Sequence, residues 1–421
     1  MQVSLVGVNH EAAPVAIREK VAISMGQLPN SLSWLGRHLS CGIVLSTCNR
    51  TEVYTAHSDS RHAERASFNF LRAQADVPEV VLLQCVYSSK NEAAVEHLFR
   101  VASGLDSMII GEYEILGQVG QALEAAEKAK VVNLPLRRLF QSAIRTGRRA
   151  REETEISKNA LSVGSVAVDL AARVVGDFGD CKMMVIGTGE AGRLVAKAAR
   201  DRGTSQIVVA SRTRERASAL AAVLGGIPVS LNNLVEELST CNIVVTCASA
   251  PRQILDSCRV KSAMKARPEL PLVIIDIAVP RNVASAVSKI NNVFLYNIDD
   301  LTQVSNLNRE QREEEIRQVE KIILAELVKF NSWQQALEFR PTVSALMKKA
   351  EGIRRRQLEQ TIGKLHYLSD EERDSLEAMT RSIVTKILKD PICRLRATAG
   401  SNHGYAELVR ELFQLDMEKP E

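Results

Sequence analysis

Residues 182–201 constrain the fold of this chain more than any other stretch. Lys182-Met183-Met184-Val185-Ile186 is a short apolar run of the kind that forms a buried strand. Gly187-Thr188-Gly189-Glu190-Ala191-Gly192 follows at once, and residues 194–199 continue with the apolar spacing of a helix. Three spaced glycines alone mean little. With a strand before them, a helix after them and a second strand at 206–210, they mark the start of a βαβ dinucleotide site. Gly187 permits the tight turn, Gly189 lets the backbone approach a pyrophosphate, and Gly192 lets helix and strand pack closely. Thr188, Glu190 and Ala191 complete the loop at the helix N-terminus, where backbone amides attract phosphate.

The second strand ends in Ser211-Arg212-Thr213-Arg214. A site for NAD places an acid there to hold the ribose 2′-hydroxyl. No acid is present to repel a 2′-phosphate, and Ser211 and Arg212 can bind one, so the sequence favours NADPH. Apolar runs at 241–246, 272–276 and 293–296 extend the sheet. Ligands of open α/β sheets lie beyond the carboxyl ends of the strands, so 246–250 and 278–282 are expected to face the cofactor.

A second stretch carries nucleophilic chemistry. Gly42-Ile43-Val44-Leu45 reads as a buried strand and runs into Ser46-Thr47-Cys48-Asn49-Arg50. A thiolate is a strong nucleophile toward acyl carbon, and a neighbouring cation lowers its pKa. Arg50 can also hold a carboxylate as a bidentate fork. The plainer alternative is a small buried cysteine before a turn. His10 and His97 are the notable histidines of this α+β region. His97 lies on a helix at about 93–102, ahead of a glycine-bounded loop, 104–112, that suits a pocket wall. Glu114 and Gln118 are one helical turn apart on one face.

Helical patterning continues from 115 to about 172 and carries Arg137, Arg138, Arg145, Arg148, Arg149 and Arg151. This stripe is either a solvated face or a phosphate-contacting surface; the net charge of +4 is too mild to decide. The eight cysteines form no CxxC pair and match no zinc template, which points to free thiols in a reducing compartment and to no metal. No signal-peptide pattern and no apolar run of roughly 20 residues is present, so a cytoplasmic protein without a membrane segment is expected. After Asp299-Asp300 the strands stop. A long helix is expected over 301–337, then further helices with heptad-like spacing to 388 and an Arg354-Arg355-Arg356 cluster. An all-helical tail without a core of its own suggests dimerisation. Pro391 and residues 397–404 read as a linker before one short helix.

Together these residues resemble the glutamyl-tRNA reductase family over essentially the whole chain. The most specific elements are Gly7-Val8-Asn9-His10, residues 46–52, residues 104–112, Ile115-Leu116-Gly117-Gln118 and residues 276–281. The resemblance implies an α/β multidomain fold. An N-terminal α+β catalytic domain (1–155) would precede a Rossmann-type NADPH domain (156–300). A long spinal helix and an all-helical dimerisation domain (301–421) would follow, within a V-shaped homodimer. It places the nucleophile on Cys48 and an activity-critical histidine on His97, either for proton transfer or for positioning. It places substrate recognition on Thr47, Asn49, Arg50, Ser107, Glu112, Tyr113, Glu114 and Gln118. The nucleotide loop falls on 187–192.

The implied reaction is NADPH-dependent reduction of glutamyl-tRNA(Glu) to glutamate-1-semialdehyde through a Cys48 thioester, the first step toward 5-aminolevulinate and the tetrapyrroles (porphyrins). The unstable aldehyde implies a transient complex with the aminomutase that consumes it. The nicotinamide and Cys48 lie in different domains, so closure or a preset gap must join them. Two positions depart from the family: Glu114 stands where Gln is usual, adding negative charge near a substrate carboxylate, and Gly120 stands where Lys is usual. Two other readings compete. One is a shikimate-dehydrogenase-like enzyme acting on a free small molecule; the other is a tRNA-binding protein that has lost catalysis.

Overall fold

The computed structural model describes residues 2–157, 162–176, 178–250, 252–301, 312–365, 368–397 and 404–415. The chain forms two compact units, Met1–Ala325 and Glu326–Glu421.

The first unit begins with a four-stranded antiparallel sheet. Its strands are β1 (Gln2–Asn9), β2 (Ile43–Ser46), β3 (Arg50–His57) and β4 (Tyr87–Lys90), in the order β2-β3-β1-β4. β1 and β3 pair from Gln2 opposite His57 to Asn9 opposite Arg50, and both are buried along almost their whole length. Helices Ser60–Gln74, Asn91–Ser103, Glu114–Lys128 and Leu134–Glu153 pack against this sheet. Local chemistry sets their starts. Asp59 accepts from the Arg61 and His62 amides, and Asn133 caps Leu136 with Pro135 in the first turn.

The second sheet is wholly parallel. β5 (Lys182–Ile186), β6 (Gln206–Ser211), β7 (Ile227–Ser230), β8 (Ile243–Thr246), β9 (Leu272–Asp276) and β10 (Val293–Asn297) lie in the order β7-β6-β5-β8-β9-β10. This is the Rossmann order, with the chain reversing direction across the sheet between β5 and β8. The continuous apolar runs divide by strict alternation. Met183, Val185, Val209, Val245 and Ile275 pack on one face, and Met184, Ile186, Val208, Val244 and Ile274 on the other. β4 and β7, which the sequence pattern does not mark, are both edge strands. β4 is Tyr-Ser-Ser-Lys, with little apolar content, and β7 is four residues with Pro228 inside, so neither carries a clear strand pattern.

The C-terminal region is helical: Glu313–Ile362, Asp370–Ala397 and Gly404–Leu412. The start of the helix expected over 301–337 falls on 302–311, outside the described residues. Its described part continues through Pro341 to Ile362 instead of ending near 337. Pro391 likewise lies inside a helix and not in a linker; residues 398–403 of that expected linker are outside the described set. A single proline removes one backbone bond and bends a helix, while the turns on either side stay bonded. The second unit also has a small core, contrary to expectation. Leu346, Leu388 and Leu415 are buried against Ala345, Ala350, Val384, Ile392 and Val409. Met379, Ile383 and Ile387, at i, i+4 and i+8, stay exposed. Among the described residues, no helix is long and apolar enough to cross a membrane.

The nucleotide loop shows why its glycines are needed. Gly187 has φ +127°, and a Cβ on Gly192 would lie 2.2 Å from the Gly187 carbonyl oxygen, whereas one on Gly189 would meet nothing within 4 Å. Gly192→Ala is therefore predicted to cost on the order of 1–3 kcal/mol and to lower Tm by several degrees. Gly189→Ala should leave Tm nearly unchanged and weaken dinucleotide binding, since only an incoming pyrophosphate needs that space. Thermal unfolding and nucleotide titration of both variants check this.

Candidate active site

Cys48 sits at the tip of the connection between β2 and β3. The turn is locked from within. The Thr47 amide donates to the Arg50 carbonyl at 2.8 Å, and the Thr47 hydroxyl oxygen accepts from the Asn49 and Arg50 amides at 3.1 and 3.2 Å. Ser46 Oγ accepts from the Ile23 amide at 2.9 Å. Asn49 is buried, and its Oδ1 has no partner. An orphaned buried acceptor beside a half-buried cysteine marks a place for a polar ligand. Cys48 itself packs, with Val163 and Val279, on a small cluster of Val15, Met108 and Ile298.

Behind the turn is a buried carboxylate. Arg50 and Glu52 are two residues apart on β3 and so share a face. Glu52 Oε1 accepts from Arg50 Nη1 at 2.7 Å, His97 Nε2 at 2.9 Å and the Tyr87 hydroxyl at 2.5 Å; Oε2 accepts from the Tyr54 hydroxyl at 2.6 Å. A carboxylate only accepts, so His97 Nε2 carries the proton. His97 Nδ1 is 3.6 Å from Asp106 Oδ2. Burial alone would raise the Glu52 carboxyl, but Arg50 and His97 overcome it and hold it well below the usual carboxylate range. The second terminal nitrogen of Arg50 donates to the Asp106 carbonyl. Arg50 is thus anchored inward through both terminal nitrogens, and not the free fork that its type suggests.

The same arrangement revises the expected activation of Cys48. Burial, then Glu112 and Glu114, push its thiol up to about 12; the cation that opposes them is Arg18, because Arg50 is committed to Glu52. Burial pushes Glu112 up to about 7, with Ser107, Arg50 and Arg151 opposing and Glu114 adding to the rise. Glu114 is raised by burial and by Glu190. Burial, with Arg50 and Arg18, pushes His10 down to about 4. Glu112 therefore links the site: it acts on Cys48 and is itself acted on by Ser107, Glu114 and Arg50. Gln118 is half-buried on helix Glu114–Lys128, and Tyr113 is exposed at its N-terminus. The arginine stripe is largely engaged within the protein: Arg137 pairs with Glu127, Arg149 with Glu153, and Arg151 donates to the carbonyls of Ala102, Gly147 and Glu112. Arg354 and Arg355 both pair with Glu351.

At the switch point of the parallel sheet lies a cavity of about 250 Å³, lined by Gly187, Thr188, Gly189, Ser211, Arg212 and residues 248–250. Its described lining holds Arg212 and Arg216 and no acid. The open space over Gly189 and the 12-residue helix Glu190–Asp201 fit a dinucleotide's phosphates. Glu190, Ala191 and Gly192 are not part of this lining: Glu190 is exposed, pairs with Arg193 and lines a neighbouring cavity with Glu112 and Glu114, Ala191 packs on the core, and Gly192 abuts Gly187. Residues 278–282, expected at the cofactor, are turned elsewhere. Arg281 pairs with Glu19, Val279 joins the Cys48 cluster, and Asn282 bonds both backbone groups of Ala248. The buried Asp276 carboxylate draws this segment back by accepting from Thr246 Oγ1 and the amides of Ala278 and Val283.

Comparison with known proteins agrees with this two-part site. Residues 6–154 match the glutamyl-tRNA(Glu) reductase N-terminal domain, 169–304 the shikimate/quinate 5-dehydrogenase domain, and 318–415 the glutamyl-tRNA(Glu) reductase dimerisation domain. A glutamyl-tRNA reductase of Moorella thermoacetica is 40% identical over 99% of this chain and 95% of its own length. The chain belongs to the glutamyl-tRNA reductase family. A second relative, from Natranaerobius thermophilus, is 37% identical over 99% of this chain and 93% of its own length. The solved glutamyl-tRNA reductase of Methanopyrus kandleri is 34% identical, covers 98% of this chain and 99% of its own, and has a TM-score of 0.50. Glutamyl-tRNA reductases are oxidoreductases that catalyse the first step of tetrapyrrole synthesis, and the shikimate-dehydrogenase-like domain gives this member a nicotinamide cofactor.

Glu52, Tyr54 and Tyr87 were missed as site residues from the sequence of this reductase. The two-residue spacing of Arg50 and Glu52 in an otherwise apolar strand was the available signal. Arg18 had none, because only the fold brings it near Cys48.

The raised carboxyl of Glu112 has a consequence for stability. It titrates near 7 when folded and near 4.5 when unfolded. Between those values the folded chain keeps a proton that the unfolded chain has lost, so this group's contribution falls as pH rises from about 5 to 7. Glu112→Gln is predicted to stabilise the protein at about pH 8 and to lose that gain near pH 4.5. Denaturant titrations at the two pH values measure it.

Proposed function

We propose that this chain is an NADPH-dependent glutamyl-tRNA reductase that forms a thioester on Cys48. The observation that carries the reading is the placement of Cys48 on a locked hairpin turn, with an anchored guanidinium behind it and a buried acceptor, Asn49 Oδ1, beside it. The substrate's glutamyl group enters with a cationic α-ammonium and an anionic γ-carboxylate. Glu112 and Glu114 suit the first, and the Ser107 hydroxyl and Asn49 side-chain amide suit the second, with the inward-anchored Arg50 contributing its positive charge from behind. Neutralising Glu112 and Glu114 removes charges that keep the Cys48 thiol protonated, so the correct substrate itself favours the thiolate.

Cys48 Sγ then bonds to the activated carbonyl carbon, the ester C–O bond breaks, and the tRNA leaves as its hydroxyl. Gly187, Thr188, Gly189, Ser211 and Arg212 would hold a nicotinamide nucleotide, which would supply the hydride for this chemistry. Once the acyl carbon has gained two electrons, its bond to Cys48 breaks and glutamate-1-semialdehyde departs. His97, fixed to Glu52, acts by positioning. Thr47 shapes the turn, Tyr113 lines a cavity with Glu112 and Glu114, and Gln118 on the same helix is assigned to substrate recognition by the family resemblance. Ser211 and Arg212, with Arg216 nearby and no acid among the described lining, support NADPH over NADH.

Three domains, 1–155, 156–300 and 301–421, are supported by family matches over 6–154, 169–304 and 318–415. The dimerisation-domain match and the exposed Met379, Ile383 and Ile387 support a homodimer. Its tRNA partner is glutamyl-tRNA(Glu), and the aldehyde's instability supports transfer to glutamate-1-semialdehyde aminomutase. The eight free cysteines accord with the cytoplasm.

The test is a single turnover with tRNA carrying labelled glutamate, without NADPH, quenched in acid and read by mass spectrometry. A glutamyl adduct on the Cys48 peptide, absent in Cys48→Ser and replaced by semialdehyde on adding NADPH, is expected. Intact charged tRNA bound without an adduct would contradict the mechanism and favour a non-catalytic binding protein. Turnover of a free hydroxy acid that survives Cys48→Ser would favour the small-molecule dehydrogenase.

A further inference from the structure

Helix Val15–Val21 belongs to the catalytic domain and carries two adjacent charges, Arg18 and Glu19, that both reach into the nucleotide domain. The Glu19 carboxylate accepts from the Arg281 backbone amide at 3.0 Å, from its Nε at 3.0 and 3.2 Å, and from its Nη2 at 2.6 Å. Arg18, almost wholly buried, donates to Asp299 Oδ1 at 2.8 Å, while Asp299 Oδ2 accepts from the Val15 amide at 2.8 Å. These are multiply bonded and largely shielded from solvent, unlike an exposed surface pair. Their order also matters. A positive then a negative charge on the helix meets Asp299 and Arg281, so exchanging the two pairings would bring like charges together. At the same contact lies the Val15, Met108 and Ile298 cluster, on which Cys48 packs beside Val279.

We propose that Arg18–Asp299 and Glu19–Arg281 are positioning pairs that hold the nucleotide domain in one register over Cys48, and so decide whether the Cys48 thioester is reduced or hydrolysed. The proposal rests on the thioester reading above. In hydrolysis, a water oxygen bonds to the acyl carbon, the C–S bond breaks, the sulfur takes a proton and glutamate leaves. In reduction, the acyl carbon gains a hydride from the reduced nicotinamide nucleotide, which is oxidised; the C–S bond breaks and the aldehyde leaves. Both fates begin from one intermediate, so the register of the two domains affects their ratio without being needed to form it. Held in place, the nucleotide domain also covers Cys48 from solvent.

The test compares the wild type, Glu19→Arg, Glu19→Gln and the swap Glu19→Arg/Arg281→Glu. Glu19→Arg should still acylate Cys48 from glutamyl-tRNA without NADPH at a rate within about twofold of wild type, and should release glutamate at least as fast. With NADPH, its ratio of semialdehyde to glutamate should fall about tenfold, equivalent to about 1.4 kcal/mol between the two barriers. In the nucleotide-free protein, iodoacetamide should alkylate Cys48 several-fold faster. Glu19→Gln should shift both readouts the same way but less, which serves if Glu19→Arg does not fold. The swap should restore most of the ratio and the protection. An unchanged ratio in both single variants, or a swap no better than Glu19→Arg, would overturn the positioning role while leaving the thioester reading intact. Wild-type protein that forms no acyl-Cys48 would overturn both.

Discussion

The Glu52 carboxylate, buried in the catalytic domain with four donors around it, is the constraint on which the site depends. An ion of this kind is costly to remove from water and is tolerated only where its lone pairs are occupied. Here the donors come from separate elements: Arg50 and Tyr54 from β3, Tyr87 from β4, and His97 from helix Asn91–Ser103. Bonding to one carboxylate fixes these elements in register. The turn that presents Cys48 begins directly after β2 and ends at Arg50, so rigidity behind the turn becomes rigidity of the nucleophile.

The nucleotide domain supplies the complementary half by different means. Its central parallel strands are buried on both faces, and the loops after β8 and β9 are drawn into place by Asp276 and Asn282. Asp276 gathers Thr246 and the segment that follows β9; Asn282 then fixes Ala248 against the glycine loop. The segment that leaves this network carries Val279 and Arg281 toward the catalytic domain. One run of residues thus shapes the cofactor cavity at one end and meets the catalytic domain at the other.

Much of this was legible in the sequence because it rests on local patterns. The glycine loop between strand and helix marked the Rossmann domain, Ser211-Arg212 at the end of the second strand marked part of the cavity lining, and the cysteine after an apolar strand marked the turn. The parts that were not legible depend on distant residues or on edges. β4 and β7 escaped notice because each has only four residues, one mostly polar and the other interrupted by Pro228. The long helix looked complete near 337 and Pro391 looked like part of a linker, because the flanking turns that keep each helix intact across Pro341 and Pro391 leave no local mark. Arg50 looked like a free carboxylate clamp, since nothing local shows that Asp106, 56 residues away, takes one of its nitrogens. The field at Cys48 was misread for the same reason: the nearby cation in sequence faces Glu52, while Arg18, Glu112 and Glu114 arrive through the fold.

The most direct measure of this account is a double-mutant cycle on the buried pair, using Arg50→Met, Glu52→Gln and the two together, followed by denaturant unfolding. If Glu52 organises the catalytic domain, each single change leaves a buried group without its partner and costs roughly 3–5 kcal/mol. The double variant should then cost less than their sum, with a coupling of about 2 kcal/mol or more. Additive losses, or single changes within about 0.5 kcal/mol of wild type, would contradict it.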